Sequence, residues 1–299
     1  MPLLNNLDVF YGDLTANLAY VYARLPRSTE PSSAEPGEWS LTGTVRGPRC
    51  LHAQTLPTMS RLVDMGPGPT TLARAIVTEP CFWSPDLPAL YDVTVKLQRG
   101  SEVMATAQRE LGLRALGARG RSLSLDGKTH VLRGVSDAST TARLPRVWHE
   151  ALAMYVTNEA KQEALSEASQ WGAMVLVELT VADGNLASRL RELARVPAVA
   201  IVAIRGSVPG DFSKKMVAPN LLLAQVVQGG SEIMESWADV TIADGDELDW
   251  IRDLALRMDK PIVVRRKLAE PRDITDSRAA CDLLQRELAP IGQFAGYVV

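Results

Sequence analysis

The chain has 299 residues, 46% of them hydrophobic and 22% charged, with a formal net charge of −3 at pH 7. That length suits two domains, and the balance is ordinary for a globular chain. The slightly acidic balance gives no electrostatic case for nucleic acid or an anionic membrane, and no run is long and apolar enough to span a bilayer.

The first residues, M-P-L-L-N-N-L-D, lack a basic n-region and a long apolar core, so the expected location is cytoplasmic. Cys50, Cys81 and Cys281 are odd in number and far apart, which predicts small buried hydrophobes and not a disulfide framework. His52, His130 and His149 have no ligand spacing, so no metal site is predicted. No cofactor is predicted either, and the oligomeric state is not legible.

The first half of the chain reads as strands. Asn17 to Leu25 alternates and is rich in aromatic and β-branched residues, the mark of a strand. The proline- and serine-rich stretch 26–38 is a surface loop. Trp39 to Val45, Leu62-Val63 and Thr70 to Val77 continue the series, with Gly66-Pro67-Gly68-Pro69 as a turn. Tyr91 to Leu97 puts Tyr91, Val93, Val95 and Leu97 on one face, and Glu102 to Leu113 runs back. About seven short strands with turns every eight to twelve residues predict a sandwich. In Phe82-Trp83-Ser84-Pro85 the proline sets a turn that lets Trp83 and Leu90 enter the core.

Ser122 to Asp137 is the hinge of the organisation. Leu123 and Leu125 alternate with serines, Asp126-Gly127 is a hairpin turn signal, and an extended run begins at His130. From there strands alternate with helices. The predicted strands are His130–Val135, Ala153–Thr157, Ala173–Leu179, Ala198–Ile204, Leu221–Val227, Asp239–Ile242, Pro261–Val264 and Phe294–Val299. Helices are predicted over Glu159–Trp171, Leu186–Arg195, Glu232–Trp237, Glu247–Met258 and Ser277–Leu288, the last with Asp276 as its N-cap, besides a stub around Arg146–Ala151. Eight strands with crossover helices are the signature of a TIM-type barrel. This one is short against roughly 250 residues for such barrels, and its sparse helices leave an open, partly wound α/β sheet as the rival.

Three motifs give the chain a resemblance. They are Phe82-Trp83-Ser84-Pro85-Asp86-Leu87-Pro88-Ala89-Leu90-Tyr91, then Arg109-Glu110-Leu111-Gly112-Leu113-Arg114, then Leu125-Asp126-Gly127-Lys128 continued by Leu132-Arg133-Gly134-Val135. In that order and spacing they resemble glycoside hydrolase family 2, the β-galactosidase and β-glucuronidase group. The resemblance implies an immunoglobulin-like β-sandwich over residues 1–117 and a reduced (β/α)8 TIM-like barrel over residues 118–299. It also implies that the chain starts at the sandwich, without the family's amino-terminal sugar-binding domain.

Retaining glycosidases need two carboxylates about 5 Å apart at the C-terminal ends of the strands. In the family these are the Glu of an Asn-Glu pair ending strand 4 and the Glu ending strand 7. Pro197 and Val199 fix the first register, which puts Gly206 and Ser207 at the Asn and Glu positions. Lys260-Pro261 fixes the second, which puts Arg266 at the Glu position, or Arg265 if the strand slips by one. A serine cannot supply a carboxylic acid proton, and an arginine stays protonated. Ser136-Asp137-Ala138-Ser139 stands where the family has N-R-H-E, and Val177-Glu178 keeps only the Glu of its Asp-Glu.

Asp137, Glu159, Glu178, Asp244 and Asp246 also fall at the predicted mouth. Asp137, Glu178 and Asp244 are the candidates for relocated catalytic carboxylates; the plainer reading is that loop-start acids cap the helices that follow. Glu178, Arg205, Arg265 and Arg266 form the predicted ligand-binding set, for a carbohydrate or an anion. The resulting expectation is a catalytically inactive family 2-like protein that binds carbohydrate or serves as an interaction module. The alternative is a divergent O-glycosidase with relocated carboxylates.

Overall fold

The computed structural model describes residues 4–26, 39–136, 143–157, 161–181, 186–208, 217–229, 235–267 and 273–299. The chain divides into two compact units, Met1–Trp83 with Leu87–Leu113 and Arg195–Pro197, and Ser84–Asp86 with Arg114–Ala194 and Ala198–Val299. Of the predicted helix Glu232–Trp237, residues 232–234 lie outside the described residues and residues 235–237 form a turn, not a helix.

Among the described residues, the first unit contains seven antiparallel strands. They are β1 (Asp8–Leu14), β2 (Leu18–Leu25), β3 (Trp39–Arg49), β4 (Thr58–Asp64), β5 (Thr71–Thr78), β6 (Leu90–Arg99) and β7 (Glu102–Leu111), in the spatial order β1-β2-β5-β4-β3-β6-β7. Strand β4 turns one layer into the other: Thr58 to Leu62 pair with β3, whereas Val63 and Asp64 pair with β5. The folded-over sheet is therefore a sandwich, and every second residue points inward. Val21, Ala23, Ala73 and Ala75 share one buried cluster with Leu41, Val45, Val93 and Val95.

The motif residues act by packing. Trp83 is fully buried, and its backbone N–H donates to Leu113 O at 2.6 Å. A Cβ on Gly112 would lie 3.1 Å from Trp83 Cβ and 2.8 Å from Pro197 Cβ, so only glycine fits there. The Tyr91 hydroxyl accepts from the Cys81 N–H at 2.8 Å, and burial pushes the phenol up to about 12. All three cysteines are free thiols.

In the second unit, β8 (Leu116–Arg119), β9 (Ser122–Leu125) and β10 (Lys128–His130) form a small antiparallel sheet. Asp126 and Gly127 both take positive φ, 50° and 75°, between paired Leu125 and Lys128. That is the geometry of a type I′ turn, which the right-handed twist of a hairpin favours.

The barrel strands follow: β11 (Leu132–Ser136), β12 (Ala153–Val156), β13 (Val175–Thr180), β14 (Val199–Arg205), β15 (Leu222–Val227), β16 (Val240–Asp244), β17 (Ile262–Arg265) and β18 (Gly296–Val298). They close in sequence order, all parallel, by pairing β18 with β11. The rival open sheet is thereby excluded. Val199 to Ile204 are all buried, as a strand covered on both faces requires. The helices described are α1 (Leu144–His149), α2 (Gln162–Trp171), α3 (Leu186–Ala194), α4 (Leu248–Arg257) and α5 (Ile274–Leu288). Helix α5 begins a turn earlier than predicted. Asp273 accepts from the Ile274 N–H at 2.6 Å, so Asp273 is the N-cap and Asp276 lies in the first turn. Among the described residues, no helix is long and apolar enough to cross a membrane.

The closing seam depends on glycine. Leu132 pairs with Gly296, and a Cβ on Gly296 would lie 2.8 Å from both Leu132 O and Leu132 Cβ. Gly296→Val is therefore expected to cost about 1–3 kcal/mol through overpacking, read as a lower midpoint in urea unfolding. An unchanged midpoint would show that the seam is slack.

Candidate functional site

The C-terminal ends of the barrel strands bring six polar side chains together. Tyr155 comes from β12, Glu178 from β13, Arg205 ends β14, Gln228 follows β15, Asp244 ends β16 and Arg265 ends β17. Arg205 spans the two carboxylates: its Nε donates to Glu178 Oε1 at 2.6 Å and its Nη2 to Asp244 Oδ2 at 2.7 Å. Arg265 Nη1 donates to Glu178 Oε2 at 3.0 Å and lies 3.7 Å from Asp244 Oδ2. The Tyr155 hydroxyl donates to Glu178 Oε2, and Gln228 Nε2 donates to Asp244 Oδ2 at 2.6 Å. The Arg265 guanidinium stands over the Tyr155 ring, 4.2 Å from its centroid, a cation–π placement.

The side chains of Glu178, Asp244 and Arg265 are each 8% exposed or less, and that of Arg205 is 27% exposed. Burial alone drives a carboxyl towards its neutral form. For Glu178 that push is outweighed by the hydrogen bonds from Arg205 and Tyr155 and by the charges of Arg205 and Arg265, which hold it below the usual carboxylate range. For Asp244, burial is likewise outweighed by the bonds from Arg205 and Gln228 and by the two arginine charges. Arg205 loses by burial and gains more from both carboxylates, so it stays firmly protonated. Burial first, and then the bond to Glu178, raises the Tyr155 phenol far above its ordinary value. The cluster is thus two anions against two cations. Two buried polar atoms of this end have no partner among the described residues: Arg265 Nε and Ser136 Oγ. Ser136 is the register partner of Tyr155, so it shares that side chain's face.

Residues 49–114 match the family model of the glycosyl hydrolases family 2. Solved structures agree in fold. A family 2 glycosyl hydrolase of Bacteroides cellulosilyticus superposes with a TM-score of 0.65 at 13% identity, covering 98% of this chain and 43% of that one. A β-glucuronidase of Bacteroides uniformis gives 0.60 at 14% identity, covering 98% and 45%. The chain resembles glycosyl hydrolase family 2. It spans about half the length, or less, of the solved structures it matches. No curated protein matches the sequence.

Against the family 2 pattern, the predicted site residues part into two groups. Glu178, Arg205, Asp244 and Arg265 come together in the cluster. Ser207 lies two residues beyond β14 and is exposed. Arg266 is turned elsewhere: its Nε donates to Asp246 at 2.9 Å, and its Nη1 and Nη2 donate to Glu287 at 2.7 and 3.0 Å. The Glu287 bonds, set against burial, hold the Arg266 guanidinium above its ordinary value. Asp137 and Glu159 lie outside the described residues. Sequence reasoning missed Tyr155, Gln228 and Ser136. Tyr155 carried a signal, since it is the one polar-tipped residue in the run Ala153 to Val156.

The linkage of the cluster to pH has a definite sign. Both carboxyls titrate lower in the folded chain than in the unfolded one. Their stabilisation is complete above the ordinary carboxylate range of about 4 and is lost as pH falls through the depressed folded values. Removing one member of a buried pair strands the other charge, at about 3 kcal/mol or more. Glu178→Gln is expected to lower unfolding stability by about that amount at pH 7 and to flatten the acid limb of the stability profile. Equal stability of variant and wild type at pH 7, measured in urea, would contradict the pairing.

Proposed function

We propose that this chain is a non-catalytic family 2-like protein that binds a neutral carbohydrate at the mouth of its barrel. The observation that carries the reading is the pairing of both mouth carboxylates, Glu178 and Asp244, with Arg205 and Arg265. A glycosidase acid must hold a proton near neutral pH, and its partner must present a free anion to the anomeric carbon. Here both carboxyls are driven towards the ionised form and both are covered by guanidinium groups.

The same balance argues against an anionic ligand, because the two arginines are already matched in charge. What the mouth offers instead is hydrogen bonding without net charge, including Arg265 Nε and Ser136 Oγ, which have no partner among the described residues. Hydroxyl-rich, uncharged sugars fit that chemistry, since each hydroxyl both donates and accepts. The neighbours' names support sugar over other neutral ligands: solved structures with this fold include a β-glucuronidase and a family 2 glycosyl hydrolase.

Two measurements test this. Chromogenic glycosides assayed between acid and neutral pH are expected to show no turnover above buffer. Turnover that disappears in Glu178→Gln would favour the alternative, a glycosidase with relocated carboxylates. In ligand-observed NMR, neutral saccharides are expected to bind, and Ser136→Ala is expected to weaken them roughly threefold to tenfold. Binding indifferent to Ser136→Ala, or selective for anions, would contradict the assignment of the mouth.

A further inference from the structure

Among the described residues four arginines stand over aromatic rings, and one stands much closer than the rest. In the sandwich Arg24, Arg74 and Arg99 lie 5.1, 5.3 and 5.9 Å from the centroids of Phe10, Tyr20 and Trp39. At the barrel mouth Arg265 lies 4.2 Å from the centroid of Tyr155. Tyr155 is 1% exposed and Arg265 6%, so this contact is shut off from water, where a cation–π contact is strongest. Tyr155 is itself fixed. Its strand pairs with β11 through Ser136 and with β13 through Leu176, and its hydroxyl donates to Glu178 Oε2. Arg265 is held less fully by hydrogen bonds. Among the described residues it makes one, from Nη1 to Glu178 Oε2 at 3.0 Å. Asp244 Oδ2, at 3.7 Å, is beyond hydrogen-bond reach. One hydrogen bond leaves a guanidinium free to turn about it. The ring fixes the plane of the group, and with it the direction of the Nε–H.

We propose that Tyr155 is the positioning residue of the mouth: its ring fixes the Arg265 guanidinium so that Nε–H is presented to an oxygen of a bound sugar. The inference rests on the reading of the mouth as a sugar site, and adds which side chain prepares that site. A sugar oxygen accepts a hydrogen bond well only near linearity. An N–H held in one direction before binding also spares the cost of ordering it afterwards. A planar, delocalised guanidinium can be held flat on a ring in this way, as an ammonium group cannot. The Tyr155 hydroxyl has a separate task, the bond to Glu178, so ring and hydroxyl can be tested apart.

The test combines two NMR readouts on the full chain. In a nitrogen-15 spectrum of the arginine Nε–H groups, Arg265→Lys identifies the Arg265 signal by its loss. Through the ring current of residue 155, that signal is expected upfield of the main arginine group in the wild type and in Tyr155→Phe. In Tyr155→Leu it should return to the group. Binding is read by ligand-observed NMR with the neutral methyl glycosides of galactose, glucose, mannose and xylose. Tyr155→Phe is expected to stay within about twofold of wild-type affinity, and Tyr155→Leu to lose at least roughly tenfold. Near-UV circular dichroism checks the fold of each variant, and Tyr155→Met replaces Tyr155→Leu if the latter does not fold. The inference is overturned by an unshifted Arg265 signal in the wild-type chain, by equal losses of affinity in the Phe and Leu variants, or by no loss in the Leu variant. Wild-type chain that binds none of the four glycosides overturns the sugar reading and this inference together; binding accompanied by any of the three earlier results overturns this inference alone.

Discussion

A single guanidinium holds the mouth of the barrel together. Arg205 reaches from β14 to Glu178 on β13 and to Asp244 on β16, and Arg265 answers from β17. Without those cations, two buried carboxylates facing one lumen would repel each other, and one of them would take up a proton. With them the ring is neutral, and the polar ends of five strands can be buried at little net cost. The same interaction decides the chemistry. A carboxyl pair set apart in pKa is the working arrangement of acid–base catalysis, and here both members are driven in one direction.

The scaffold beneath this cluster is built from ordinary forces. Strands β13 to β16 are almost wholly apolar except where they meet the mouth, so the change from Val and Ile to Glu, Arg and Asp is a change of environment along each strand. Closure brings β17 and β18 round to β11, and that step places Arg265 opposite Glu178 across the lumen. An open sheet would leave these two residues on distant strands and their charges unmatched. The cluster and the closure therefore support each other.

How much of this was legible differs by the kind of information. The barrel strands were readable because each is a short apolar run bounded by polar residues, and Lys260-Pro261 or Pro197 marks where a run begins. The sandwich was readable from alternation, as in Tyr91 to Leu97, and from Trp83 with its proline-set turn. Glu178 and Arg265 were legible as strand-end charges. Their pairing was not, because it crosses from β13 to β17, and sequence spacing carries no information about which strands face each other over a lumen. Arg265 and Arg266 are neighbours in sequence, yet one enters the lumen cluster and the other bonds Asp246 and Glu287. Only the backbone direction separates them. Asp276 was chosen as a helix cap because it precedes an apolar period, but Asp273 sits a turn earlier, and its side-chain oxygen meets the first free N–H.

The most direct measurement of the central claim is the ionisation of the two mouth carboxyls, followed by carbon-13 carboxyl NMR on the intact chain, with Glu178→Gln and Asp244→Asn supplying the assignments. Both resonances should stay in the ionised position from neutral pH down to about 4 and move only below the ordinary carboxylate range. If either carboxyl titrates near pH 6, as the proton donor of a working glycosidase does, the mouth is an acid–base pair and the account of it as a neutralised binding site is wrong.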